Sequence, residues 1–119
     1  MILMTFERFT KTRGRGYTPR VSIWGKGQIG FNQGAAEKYN LNNFEYAVLF
    51  YDKVNQKIGI KFTNKKEDGI VKLVKRPGSG VSLSAKAFLL FYSIDYSKKI
   101  RFTVNYDKEN DLYILNNTQ

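Results

Sequence analysis

The sequence has no cysteine and no histidine, and only two prolines among its 119 residues. Without cysteine there are no disulfides and no thiolate nucleophiles; without either residue there are no Cys/His zinc sites and no imidazole acid–base devices. Acidic residues are also scarce, ten against twenty Lys and Arg. No apolar stretch approaches the ~20 residues of a membrane span. The segment Met1–Arg8 has neither the charged start nor the apolar core of a signal peptide. The expectation is a cytoplasmic protein with no membrane partner.

What is present is charge and aromatic surface. The net charge is +10, and there are eight Tyr, nine Phe and one Trp. A field of that sign attracts polyanions over about 8–10 Å at physiological salt. Hydrophobic content of 42% is ordinary for a folded domain. The aromatics fall in alternating sequence, which suits strands.

The chain reads as a flexible basic arm over 1–20 and one compact domain over 21–119. The arm carries Arg8, Lys11, Arg13, Arg15 and Arg20, with Gly14 and Gly16 between them. Val21, Ile23 and Trp24, the turn Gly25-Lys26-Gly27, and then Ile29 and Phe31 predict a hairpin. Asn32 is placed to cap a short helix over Gln33–Asn40. Strands are expected at Tyr46–Tyr51, Ile58–Phe62 and Ile70–Val74. After the break at Pro77-Gly78-Ser79-Gly80 comes a short extended stretch, Val81–Leu83. Ser84 is expected to cap a helix over Ala85–Ile94 with Ala87, Leu90, Phe91 and Ile94 inward. Strands at Phe102–Tyr106 and Leu112–Leu115 close the chain.

The turn Tyr51-Asp-Lys-Val-Asn55 recurs as Tyr106-Asp-Lys-Glu-Asn110. This recurrence suggests two repeats, about 21–63 and 70–115, each strand–strand–helix–strand–strand. The expected fold is therefore α+β, mostly antiparallel, with two short helices and two pseudo-symmetric halves.

No constellation points to catalysis. Asp52, Asp107, Glu109 and Asp111 sit in turns, where short acids bond the local backbone. Ser82, Ser84 and Lys86 lack the spacing that sets a lysine beside a serine nucleophile. Gly25-x-Gly27-x-x-Gly30, with Asp52 about 20 residues on, has the layout of a dinucleotide fingerprint. Against it, Ile29 and Phe31 alternate as a strand does. No cofactor and no metal are expected.

Arg13-Gly-Arg15-Gly-Tyr17 joins guanidinium groups to one ring, a combination suited to phosphates, a narrow groove or unpaired bases. Arg20, Trp24 and Lys26 at the first hairpin extend this set, as do Lys72, Lys75 and Arg76 before the Pro-Gly break. These nine residues are the candidate nucleic-acid contacts, with Tyr17 and Trp24 as stacking rings.

The run from Val21 to Leu41, with Tyr46–Asp52 and Lys57–Phe62, resembles the AbrB/SpoVT-like swapped-hairpin family. That resemblance implies half-barrels of a DNA-binding dimer, with Lys26 and the arm facing DNA. Two copies in one chain would resemble the MraZ arrangement. Gln28 stands where the family has Arg, and Asn32 where it has Pro. The order of strands 46–52, 58–62, 70–76 and 81–83 before helix 85–94 also resembles, permuted, the Whirly and Pur-type single-strand-binding folds. The expected function is non-catalytic nucleic-acid binding, DNA ahead of RNA and regulatory in purpose. Single-strand DNA or RNA binding, docking to an acidic protein partner, and a dinucleotide-binding enzyme are the alternatives. A homo-oligomer is compatible with all of them.

Overall fold

Between residues 21 and 31 the alternation of the sequence becomes a hairpin. Val21, Ile23, Ile29 and Phe31 are buried, and Ser22, Trp24 and Gln28 between them are not. Strands β1 (Val21–Trp24) and β2 (Gln28–Phe31) pair antiparallel through the Gly25-Lys26-Gly27 turn. Both glycines have positive φ, a conformation that β-carbon sterics disfavour in other residues. The computed structural model describes residues 19–117. Arg13, Arg15 and Tyr17 lie outside the described residues.

The remaining elements are α1 (Gln33–Lys38), a 3-10 turn (Leu41–Asn43), β3 (Tyr46–Asp52), β4 (Lys57–Thr63), β5 (Ile70–Lys72) and β6 (Val74–Arg76). They are followed by β7 (Gly80–Ser84), α2 (Lys86–Phe91), β8 (Ile100–Asp107) and β9 (Leu112–Asn117). Among the described residues, all nine strands join one sheet in the order β5-β3-β4-β9-β8-β1-β2-β7-β6. Every pairing is antiparallel.

The two ends of that order, β5 and β6, are separated in the chain by Leu73 alone. Residues 70–76 thus leave β3 and arrive at β7, drawing the sheet into a nearly closed barrel. Leu73 is the pivot. Its N–H donates to Glu45 O at 2.9 Å, and the residue is buried with the core. The strands left at the two ends are three residues each, whereas a long unpaired edge is the feature that invites strand addition.

Inside, Phe31 of β2 meets Phe62 of β4 edge-on, ring centroids 5.5 Å apart. Such a pair contributes about 0.5–1.5 kcal/mol beyond its buried area. Tyr113 packs on Phe62 and Tyr39 at 5.3 and 4.8 Å, bringing the end of α1 against β4 and β9. Around α2, Tyr51, Phe88 and Tyr92 form a second ring cluster.

Several expectations are corrected. The fold is not α+β in two pseudo-symmetric halves: strand accounts for 47% of the described residues and helix for 15%. Strands from both parts of the chain alternate in a single sheet, β4 beside β9 and β2 beside β7. The strand expected at 70–74 is instead two strands turning at Leu73.

The second helix is shorter than expected and faces differently. It spans Lys86–Phe91, and its cap position is Ala85, with no side-chain bond. Leu89 is its buried residue, while Leu90 and Phe91 are 59% and 77% exposed. Ser93 takes a left-handed φ of 56°, and Ile94 N–H donates to Leu89 O at 2.8 Å. Ser93 N–H also reaches Leu90 O, which completes a Schellman stop. The first helix ends at Lys38, before the left-handed Asn40. Its cap is the expected one: Asn32 Oδ1 accepts from Ala35 N–H at 2.9 Å.

If Leu73 closes the barrel, Leu73→Ala should cost about 2–5 kcal/mol in chemical denaturation. Val74→Ala, on the exposed side of the same segment, should stay within about 0.5 kcal/mol. Equal losses at the two positions would remove Leu73 from that role.

Candidate nucleic-acid interface

Because Ile23, Ile29 and Leu83 are committed to the barrel interior, the pleat turns their neighbours outward. The registers align Arg101, Ser22, Gly30, Ser82 and Val74 in one row across β8, β1, β2, β7 and β6. The middle of that row is three small residues, so the outer surface is low there.

Trp24 lies over this low floor. A β-carbon at position 30 would overlap the Trp24 ring carbons Cζ3 and Cη2. Only glycine leaves the ring its place. Gly80, at φ +108°, makes a second close approach: a β-carbon there would overlap Phe31 O. Backbone therefore comes unusually near backbone where β7 passes the end of β2.

Two adjoining hollows occupy this outer face. The first, about 280 Å³, is lined by Ser22, Trp24, Asn32, Arg76, Ser82 and Lys99, among others. The second, about 520 Å³, is lined by Pro19, Arg20, Ser22, Asn32, Lys99 and Arg101, among others. They share Ser22, Asn32 and Lys99 and so form one trough. Four cationic side chains line it, and neither lining includes Asp or Glu. Asn32 ties the trough to the helix behind it, since its Oδ1 accepts from both Arg20 N–H and Ala35 N–H.

The acids gather elsewhere. Asp52 and Asp107 line a separate hollow of about 320 Å³ at the β3–β4 and β8–β9 hairpin ends. Each is held by its own turn. Asp52 accepts from Val54 N–H, Asn55 N–H and the Asn55 amide, and Asp107 from Glu109, Asn110 and the Asn110 amide. The asparagine side-chain bond is the main reason each carboxyl lies below its ordinary value. These acids build turns, as their local sequence implied.

Of the nine sequence-predicted contacts, the trough brings together Arg20, Trp24 and Arg76. Lys26 is exposed at the first hairpin tip, which is seated on α2. Ala85 N–H donates to Gly27 O at 2.8 Å, and Lys86 backbone lies against Gly27. Lys72 is exposed on β5, paired in register with Tyr46, and lines neither hollow of the trough. Lys75 is engaged elsewhere: its Nζ donates to Asn42 O at 2.9 Å and meets Glu45 Oε1 at 3.4 Å.

No family model, curated protein or solved structure matches this chain.

Lys99 and Arg101 are the trough cations absent from the sequence-predicted contacts. A signal was present: they alternate with Ile100 and Phe102, as cations on the outer face of a half-buried strand do. The glycines of the dinucleotide-like run have other duties. Gly25 and Gly27 turn the hairpin, and Gly30 admits the Trp24 ring.

Trp24 is the sole tryptophan, so emission reports directly on this face. Gly30→Ala should displace the ring into water and shift its emission to the red, with the far-ultraviolet dichroism of the sheet retained. Unchanged emission would mean that the ring does not rest over residue 30.

Proposed function

We propose that this protein binds nucleic acid without catalysis, through the trough on the outer face of β1, β2, β7 and β6. The observation that carries the reading is the lining itself: Arg20, Arg76, Lys99 and Arg101 around Ser22 and Ser82, with the Trp24 ring lying over Gly30 between them. Phosphates are met by cations, and a floor of small side chains lets a sugar–phosphate chain come close to the sheet. The absence of acids from this lining removes the repulsion that would oppose a polyanion.

The basic arm belongs to the same reading. In sequence it runs directly into Pro19 and Arg20, which line the second hollow. Arg13, Arg15 and Tyr17 are therefore proposed as additional contacts. A regulatory purpose and a preference for DNA over RNA remain part of the proposal on the sequence resemblance; the charge and the arm support a polyanion of either kind. No helix among the described residues is long and apolar enough to cross a membrane.

Charge reversal at the trough is the direct test. Arg76→Glu and Lys99→Glu should each weaken oligonucleotide binding measured by fluorescence anisotropy, whereas Lys108→Glu, on the β8–β9 turn, should change it much less. Neutralising one phosphate contact lowers the slope of log affinity against log salt by about 0.7–0.9. If the Lys108 variant loses as much as the trough variants, binding is a property of net charge and not of this site.

A further inference from the structure

The trough also bears on which form of nucleic acid it takes, an inference that rests on the reading above. We infer that its ligand is an unpaired strand, with one base against the Trp24 indole and the adjoining phosphates on Arg76 and on Lys99 with Arg101.

The argument begins with where the ring lies. Trp24 occupies the space above Gly30, at the centre of the small-residue row, and not the rim of the sheet. Cations stand to either side of it, Arg76 at the end of β6 and Lys99 just before β8. A strand entering this arrangement brings its bases to the ring and its phosphates to the cations in the same step. Stacking of this kind is tolerant of sequence, because every base has a π-face. In a duplex those faces are already covered by neighbouring bases, so the indole at the centre of the floor would have no face to meet.

The dimensions agree. The hollow beside Trp24 is about 280 Å³ and shares Ser22, Asn32 and Lys99 with one of about 520 Å³. The path runs across the strands, from Arg76 on β6 to Arg101 on β8, so more than one nucleotide must be held. Ser22, Ser79 and Ser82 are the hydroxyls along the first hollow. Each can donate or accept, which favours no single base edge.

The test compares three ligands of equal length and label on the full chain at physiological salt: a single strand, its duplex, and the single strand with abasic sites in place of its central bases. Anisotropy and Trp24 emission are read together. The expected result is at least tenfold tighter binding of the intact single strand, with a change in emission that the abasic strand does not reproduce. Trp24→Ala should then lower single-strand affinity by ~5- to 100-fold, and Trp24→Phe should recover most of it, in keeping with the range for base–aromatic stacking. Equal or tighter binding of the duplex, or of the abasic strand, overturns the unpaired-strand inference while leaving a phosphate-binding trough in place. If none of the three binds at physiological salt, the nucleic-acid reading fails and this inference with it.

Discussion

Register is the constraint from which the other features of this molecule follow. The inner faces of β1, β2 and β7 carry Val21, Ile23, Ile29, Phe31, Val81 and Leu83, all buried in one core. Burying each of the larger side chains contributes about 1.5–3 kcal/mol. A slip of one residue in any pairing would turn an entire set of them into water. With the inner face so fixed, the outer face has no freedom either. Ser22, Gly30 and Ser82 must align, Trp24 must rise beside them, and Arg101 must fall into the same row. The trough is the reverse side of the core.

Closure of the barrel adds the remaining wall. The segment 70–76 changes partner at Leu73, from β3 to β7, and this carries Arg76 to the outer face beside Gly80. Without that change of partner Arg76 would not stand across the floor from Lys99. Charge is then distributed unevenly around the barrel. The trough lining is free of acids, whereas Asp52 and Asp107 occupy a hollow at the hairpin ends.

Local chemistry was legible in the sequence, and long-range pairing was not. The first hairpin, the Asn32 cap and the two Asp-x-x-Asn turns form as their residues dictate, because each depends on contacts a few positions apart. The second helix defeated periodicity. Six residues make fewer than two turns, so Leu89, Leu90 and Phe91 offered competing faces, and the Schellman stop at Ser93 was decided by a single left-handed residue. The single interleaved sheet was hidden for a different reason: β4 meets β9 and β2 meets β7 across nearly half of the chain, and nothing local signals such partners. Of the site, Trp24, Arg20 and Arg76 were found through residue type. Lys99 and Arg101 were missed because they lie far from the first hairpin in sequence and next to it only once β8 pairs with β1.

The claim that the outer face of β1, β2, β7 and β6 is the binding surface is tested most directly by mapping backbone amide shifts during titration with a short single-stranded oligonucleotide. The account predicts that the largest perturbations fall on Ser22, Trp24, Gly30, Gly80 and Ser82 and on the start of β8, with the Asp52 and Asp107 turns nearly unmoved. Perturbations centred on those turns or on the α2 end, or none on the trough despite measurable binding, would contradict it.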